Sequence, residues 1–455
     1  MSSQVDTLFR RSATAERSDA RSRANPERLL FFGYVLVQEL IVLGLKTPRY
    51  PDSASYTHLS FTGAGVRLPT VPLLYTVFPT DTARIAAQVI IAACCWWFLA
   101  VEAGRLVVDR RVQIGLRAVL LTLGVLGPVA SWNSAILSES TAISLTALLV
   151  AMWLRYARSP GWATVAAALL VTLLWTLTRQ ANVAFGLGIT AAGAIVFARS
   201  RASRALRVAA VAGLVAISAV GLLEVRHNQT LSRNNIASII QLRVLPDRQW
   251  TAWFVAHGMP YSQRLAKYSG LPYHEGPLVP RFTSWLNRDG ESTYVKFLLT
   301  HPRYTLVDPL PAFSGETESN LHPNTSAYYP LQPNPTPSIL SPSVNYARHR
   351  EVVPTIVDDV LFNQGQFGDV LTLAVAAFAL MIFSLRRLGR DRRFVVPLVA
   401  VLLAIPEGYV VWLSGPGEID RLSMVTAVSV RIGLWAMLAV SVDRVLAARA
   451  GHRLA

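Results

Sequence analysis

The chain has 455 residues, of which 52% are hydrophobic and 15% charged, and its formal net charge is +16. This composition is typical of a membrane protein, and the adjacent Cys94 and Cys95 exclude a disulfide framework or a cysteine-based metal site. More than half of the basic residues fall in short segments between apolar stretches, so membrane topology and anionic lipid explain the charge, and nucleic acid is not an expected partner.

Ten apolar stretches predict an all-α polytopic membrane protein with about ten transmembrane helices. Most of them have the roughly 20 residues that cross the hydrocarbon core, and the third is the shortest. The predicted spans are 29–45, 84–104, 117–132, 137–154, 161–178, 181–198, 207–223, 368–385, 394–413 and 421–442.

Arginine is abundant in every second segment between the predicted spans. Clusters occur in the N-terminal segment and in every second loop, whereas the short loops between them are nearly free of basic residues. Because basic loops stay on the cytoplasmic side, the pattern predicts two cytoplasmic termini and an outward-facing segment 224–367. The sequence thus predicts a multi-pass plasma-membrane protein, and its abundant arginine and alanine, which have GC-rich codons, favour a bacterial source.

The spans and loops divide the chain into five predicted parts. Residues 1–28 lack apolar periodicity and predict a disordered cytoplasmic tail. The other parts are an N-terminal membrane domain of about seven spans (29–223, with a first outer loop at 46–83), a partly helical extracytoplasmic domain (224–367), a C-terminal membrane domain of about three spans (368–445) and a cytoplasmic tail (446–455). Residues 230–304 have helical patterning, whereas dense proline in 305–355 predicts an extended loop.

The first outer loop contains Asp52, Tyr56 and His58 in the run PDSASYTH, soon after the first span. A carboxylate at this place can accept a proton from a substrate hydroxyl at the outer membrane surface. Alternatively, Asp52 caps a short helix that runs through Tyr56. Both interpretations stay open, because a carboxylate at a helix N-terminus can do both.

Polar residues open the fourth predicted span, where Glu139 lies in the run SESTAIS. An acid in the first turn of a helix is favoured by the helix dipole, which is a structural role. Polar groups in a lipid-embedded helix normally face a cavity or other helices, which favours a binding role.

Arg179 occupies a tight turn between two spans, in the run LTRQAN, on the side where arginine is otherwise scarce. A guanidinium held at the rim of the bundle suits a phosphate, which it can bind with two parallel hydrogen bonds. Anchoring to lipid headgroups is the alternative.

The last span opens with Glu418, Asp420 and Arg421, and Glu407 lies inside the ninth span. The first three can form a self-neutralising loop. Glu407 requires a partner, because an ionisable group at that depth is expensive when unpaired, and we expect Arg421 or Arg431 to supply it. No HxxxH or HExxH pair occurs in the chain, so no metal site is predicted.

These four groups share one feature, since all lie at the predicted outer ends of spans with acid and arginine nearby. The layout resembles the GT-C class of integral-membrane glycosyltransferases. The matching elements are an acid in the first outer loop (Asp52, followed by Tyr56), a Ser-Glu string at a span start (Glu139), a Thr-Arg turn (Arg179) and a Glu-x-x-Arg element opening a late span (Glu418 to Arg421). The resemblance covers most of 29–223 and 394–445 in layout.

The resemblance implies an inverting hexosyl- or pentosyltransferase. It would move a sugar from a polyprenyl-phosphate donor to a cell-envelope glycan or glycolipid on the outer face, with membrane lipids around it. Asp52 would be the catalytic base, and the implied substrate-binding residues are Tyr56, His58, Glu139, Arg179, Glu407, Glu418, Asp420 and Arg421. No cofactor is expected, and a divalent cation has no support, because the Asp-x-Asp form of some members is absent.

Three other functions are compatible with parts of the sequence pattern. A flippase or exporter of lipid-linked sugars would share an arginine-lined phosphate pocket, but it would not need Asp52, and internal inverted repeats would be expected. An O-antigen-type polymerase has a comparable span count and outward-facing arginines. A scaffold or receptor displaying 224–367 would not need acids within the bundle.

Overall fold

The computed structural model describes residues 26–45, 47, 49–50, 52–59, 67–198, 202–227, 229–271, 279–314, 338–342, 350–362, 367–416 and 419–454. Every regular element in these residues is helical, as the sequence predicts. Most of the predicted tail 1–28 and much of the proline-rich stretch 305–355 lie outside the described residues.

The helices of the first half are α1 (26–42), α2 (Ser53–Tyr56), α3 (Thr70–Val77), α4 (Asp81–Gly104), α5 (Arg110–Val125), α6 (Gly127–Ala130), α7 (Glu139–Arg158), α8 (Trp162–Thr176), α9 (Gln180–Ala198) and α10 (Arg204–His227). Those of the second half are α11 (Gln229–Ile239), α12 (Arg248–Ala256), α13 (Gln263–Ala266), α14 (Pro280–Trp285), α15 (Glu291–Thr300), α16 (Leu310–Ser314), α17 (Thr355–Leu361), α18 (Phe367–Leu388), α19 (Val395–Ser414) and α20 (Ile419–Leu454). Single π-helical turns form at Ile240–Val244, Leu286–Gly290 and Arg303–Val307.

Six helices of the described chain are long and apolar enough to cross a membrane. They are Asp81–Gly104, Glu139–Arg158, Arg204–Arg226, Gly368–Leu388, Arg392–Ser414 and Arg421–Ala450. A seventh span results if α5 and Gly127–Ser134 are taken together. The helix α8 is apolar but has only 15 residues. The predicted count of ten is therefore not confirmed.

The third predicted span, 117–132, is bent in the structure. The helix α5 ends at Val125, and Gly127–Ser134 leaves it at 52°. Pro128 has no amide hydrogen for the carbonyl of Gly124, so one helical hydrogen bond is lost where the bend occurs. That carbonyl accepts a hydrogen bond from the Gln38 side chain instead, at 2.7 Å.

The long helices pack into one bundle, with α20 in contact with α5, α7, α18 and α19. The loops that carry the arginine clusters are tied together at one end of it. Glu102 there contacts Arg105 at 2.6 Å and Arg158 at 2.8 Å, and Asp443 contacts Arg393 at 2.7 Å. Glu139 and Arg421 lie at the starts of α7 and α20, whose distant parts carry Arg158 and Asp443, so these two residues lie at the opposite end of the bundle.

The helices α11 to α16 form a second apolar cluster, which includes Trp412 and Ile419 from the facing ends of α19 and α20. Arg243 donates to the carbonyl of Trp412 at 2.6 Å and stacks on its ring, and the Tyr294 hydroxyl donates to the carbonyl of Leu413 at 2.7 Å. This part of the chain is thus held against the bundle at the end where α19 stops.

Candidate functional site

Five charged side chains of alternating sign form a chain of ion pairs at the end of the bundle where α7 and α20 begin. Asp52 contacts Arg67 (Oδ1 to Nη2, 2.7 Å) and Arg421 (Oδ2 to Nη2, 3.2 Å). Glu139 contacts Arg421 (Oε1 to Nε, 3.1 Å) and Arg179 (Oε1 to Nη2, 3.9 Å). Each carboxylate therefore lies between two guanidiniums, and we call this arrangement the ionic chain.

The inner part of the ionic chain is buried. Glu139 is 0% exposed, Arg421 2% and Arg179 7%. A charge removed from water is costly unless it is paired, so each of these side chains depends on its neighbours in the ionic chain. Burial argues against the alternative that Arg179 anchors lipid headgroups, because the guanidinium is enclosed by protein, and phosphate binding by Arg179 stays a prediction.

The short helix α2 presents Asp52 and Tyr56 to the site. It forms where the sequence predicts it, but the Asp52 side chain makes no capping hydrogen bond, so the capping alternative is wrong. The carboxylate is drawn instead to Arg67 and Arg421. The Tyr56 hydroxyl donates to Ser138 Oγ at 3.0 Å, and the Arg67 guanidinium stacks 4.6 Å from the centre of its ring.

A buried hydrogen-bond network fixes residues 131–138, which lead into α7. The Tyr75 hydroxyl lies 2.9 Å from the carbonyl of Leu137, and the Gln88 amide donates to the carbonyl of Asn133 at 2.9 Å. The helix α7 then begins at Glu139, as the sequence predicts, so the carboxylate enters the site from a first helical turn.

Arg179 is held by the turn between α8 and α9. Thr70 of α3 donates to the carbonyl of Leu174 at 2.9 Å, and the Asn182 amide donates to the carbonyl of Trp175 at 2.8 Å. Several buried polar atoms here have no hydrogen-bond partner among the described residues, and a buried polar atom of this kind requires an explanation such as a bound water, ion or ligand or a catalytic role. These atoms are Thr176 Oγ1, Arg179 Nη1, Arg179 Nη2, Gln180 Nε2, Asn182 Oδ1 and both carboxylate oxygens of Glu139.

Glu407 lies in α19 with 1% of its surface exposed. Arg179 interacts electrostatically with its carboxyl, and the expected pairing with Arg421 or Arg431 is not confirmed by the ion pairs found in the described residues. Arg421 is engaged by Asp52 and Glu139, and Arg431 donates to the carbonyls of Leu340 and Ala427 at 2.7 and 3.0 Å.

An apolar groove with about 780 Å³ of empty space, open space included, begins at Glu407 and follows α19 to Val395. Twelve residues of helix correspond to roughly 18 Å. Side chains of α7 to α10 and of α19 and α20 line it, and the polar ones are Thr146, Glu407 and Ser429. Glu407 therefore joins this groove to the neighbourhood of Arg179.

The environment of Asp52 sets its protonation. Burial alone would raise the pKa of its carboxyl, but the guanidiniums of Arg421 and Arg67 outweigh burial and hold the pKa below the ordinary value of 3.8. Asp52 is therefore ionised at neutral pH, and it accepts a proton weakly while both guanidiniums remain in contact.

The remaining predicted site residues are less informative. His58 is exposed, and none of the ion pairs found in the described chain includes it. Glu418 and the side chain of Asp420 lie outside the described residues. Among those that are described, no group of three His, Cys, Asp or Glu side chains is arranged to hold a metal ion.

Arg67 is the member of the ionic chain that the sequence did not single out. The signal that marked Arg179 applied to it as well, because it is an arginine on the predicted arginine-poor side. It stands directly before the run LPT that leads into α3, so its backbone is held close to the bundle.

No protein-family model matches the chain, and no curated protein matches its sequence. Among solved structures, the chain is similar to the oligosaccharyltransferase of Archaeoglobus fulgidus in its apo form, with 12% sequence identity and a TM-score of 0.44. The alignment covers 94% of this chain and 52% of the other, so the chain spans about half the length of that protein.

Proposed function

We propose that this protein is an inverting membrane glycosyltransferase that moves a sugar from a polyprenyl-phosphate donor to a cell-envelope glycan or glycolipid. The observation that carries the proposal is Arg179, a buried guanidinium with no hydrogen-bond partner for Nη1 or Nη2 among the described residues. It interacts electrostatically with Glu407, where the apolar groove begins. One ligand with an anionic phosphate and a long apolar chain fits both features.

The donor phosphate binds between Arg179 and Arg421 in this proposal. Arginine presents a planar fork of donors that matches phosphate oxygens, and these two residues approach the same oxygen of Glu139. The isoprenoid chain then follows the groove away from the ionic chain. Positive charge placed at the phosphate also stabilises it as a leaving group.

The chemistry is a single displacement. The acceptor hydroxyl oxygen forms a bond to the anomeric carbon as the bond from that carbon to the phosphate oxygen breaks, and the polyprenyl phosphate leaves with the electron pair. Asp52 takes the hydroxyl proton. A phosphate that draws Arg421 toward itself weakens the contact with Asp52 and raises the pKa of that carboxyl, so the base gains strength when the donor is bound.

The groove favours this enzyme over an exporter. A flippase needs a polar path for the headgroup across the membrane, whereas the groove between Glu407 and Val395 is apolar except for Thr146 and Ser429. A polymerase of lipid-linked repeats shares the donor chemistry and differs in its acceptor, which would itself be attached to a polyprenyl diphosphate.

The test is sugar transfer by the purified protein in proteoliposomes. Polyprenyl phosphates carrying a radiolabelled pentose or hexose are supplied with envelope glycans, glycolipids or polyprenyl-diphosphate-linked repeats as acceptors. We expect label in a glycan or glycolipid with the wild type, and a loss on the order of 10²–10⁴-fold with Asp52→Asn, because general base catalysis is removed.

Asp81→Asn is the matched control. Asp81 belongs to the same predicted outer loop but pairs with Arg49 and Arg84, outside the ionic chain, so the variant should keep wild-type transfer. Transfer only to a polyprenyl-linked repeat would identify a polymerase. Sugar transfer by Asp52→Asn at the wild-type rate would show that Asp52 is not the catalytic base.

A further inference from the structure

We propose that residues 303–314 lie in the membrane–water interface and bury their apolar side chains among the lipids at the end of the bundle where α19 stops. This segment comprises the π-helical turn Arg303–Val307 and the helix α16. The inference concerns how the protein contacts the bilayer, and it does not depend on the proposed activity.

Two residues of α19 fix the height of the segment along the bundle. The Tyr409 hydroxyl donates to the carbonyl of Leu306 at 2.9 Å. The Phe313 ring packs 5.5 Å from that of Tyr409 and fills the space where a side chain on Gly408 would stand, since an added Cβ would come within 2.6 Å of it. Residues 303–314 therefore stand level with Gly408 and Tyr409.

That level lies within the candidate span Arg392–Ser414. Tyr409 precedes the last helical residue, Ser414, by five positions, which is about 7.5 Å of helix. Interfacial helices place their apolar face at about 5–10 Å below the headgroup boundary. The segment is thus at the depth where such elements are found.

The outward-facing side of the segment is apolar. Leu306 is 58% exposed, Val307 52% and Leu310 52%. On α19 the exposed residues Leu402 and Ile405 precede Tyr409 by seven and four positions, so all three share one face of the helix. This apolar stripe on α19 continues to Leu306 through the hydrogen bond from Tyr409. Lipid is therefore the neighbour that fits the exposed side chains of Leu306, Val307 and Leu310.

The other sides of the segment match an interfacial position. Tyr304 and Ala312 face inward and belong to the apolar cluster of α11 to α16. Arg303 extends into the surroundings with 89% of its side chain exposed and lies 3.8 Å from Asp308. A long basic side chain beside apolar ones suits lipid phosphate groups at the interface.

The test uses spin labels on single cysteines at positions 306, 307 and 310, in a background in which Cys94 and Cys95 are replaced by alanine. The full chain is reconstituted into vesicles of phosphatidylcholine and phosphatidylglycerol. Collision rates are measured with oxygen, which concentrates in lipid, and with a water-soluble nickel chelate. We expect oxygen to dominate at all three positions.

Two control positions calibrate the result. Leu402→Cys on the exposed face of α19 gives the lipid signature, and Gln249→Cys on the exposed face of α12 gives the comparison from the part of the chain beyond the bundle. Nickel accessibility at 306, 307 and 310 above that at 402 and equal to that at 249 would overturn the proposal. Coverage of the patch by a second protein would give this same aqueous result in the purified chain.

Discussion

Arg421 contacts both acidic side chains of the ionic chain, with Asp52 Oδ2 at 3.2 Å and Glu139 Oε1 at 3.1 Å. Any anion that attracts its guanidinium weakens both contacts at once. Binding of a phosphate and the basicity of Asp52 are therefore coupled through one side chain. Arg67 is the terminal member of the ionic chain and forms an ion pair there with Asp52 but not with Glu139.

Arg67→Gln removes one of the two cations that lower the pKa of Asp52. Burial then acts against Arg421 alone, so the pKa of Asp52 rises and the carboxylate is lost at higher pH. We expect the acid limb of kcat/KM, which reports ionisation in the free enzyme, to move to higher pH than in the wild type. The measurement is sugar transfer at subsaturating donor across the acidic range.

Arg49→Gln provides the comparison for that profile, because Arg49 pairs with Asp81 on the exposed side of the same loop. Its acid limb should coincide with that of the wild type. If Arg67→Gln also coincides with the wild type, ionisation of Asp52 does not control the reaction.

At the scale of helices, the long apolar elements are set by local sequence, and the sequence predicted their approximate positions. The start of α7 at Glu139 followed from polar residues before an apolar run. The bend at 126–127 was missed although Pro128 is visible in the sequence, and the hydrogen bond that Gln38 of another helix donates to the Gly124 carbonyl depends on packing. Partners in the ionic chain were not predictable, since Asp52 and Arg421 are 369 positions apart and meet only through packing.

The groove makes a prediction for α9. Ala192 lines the groove, whereas the adjacent Ala191 is exposed on the helix. Ala192→Trp should fill part of the space and raise KM for donors with long isoprenoid chains, with little effect on donors of one or two isoprene units. Transfer kinetics with a series of donor chain lengths measure this.

Ala191→Trp adds the same side chain outside the groove and should leave the dependence on chain length as in the wild type. An equal rise in KM for short and long donors in Ala192→Trp would show that the substitution disturbs the bundle, and that the groove does not hold the chain.

At the scale of the whole molecule, the two ends of the bundle carry different groups of polar residues. At one end, Glu102 near the end of α4 and Asp443 of α20 form ion pairs with arginines in or next to the arginine-rich loops. The other end carries the ionic chain, the mouth of the groove and the helices α11 to α16. The alternation of arginine in the sequence was sufficient to separate these ends, because it follows from how loops are sorted across a membrane.

The orientation itself predicts a labelling pattern. Single cysteines at Ser203 and Arg390, both exposed at the arginine-rich end, should resist a membrane-impermeant thiol reagent in intact cells, and Tyr261→Cys should react. All three should react after permeabilisation, which shows that each is accessible. Reaction at positions 203 and 390 in intact cells would place the site on the cytoplasmic side.

The central claim is that Arg179 receives the donor phosphate, and donor affinity of Arg179→Lys tests it most directly. Lysine keeps the charge but loses the planar fork, and a lost charged hydrogen bond of about 1.5–3 kcal/mol corresponds to a Kd raised on the order of 10-fold or more. Arg49 is an exposed arginine of the first outer loop, so Arg49→Lys is the matched control. This variant should bind the donor with the affinity of the wild type. Equal donor affinity for Arg179→Lys and the wild type would contradict the claim.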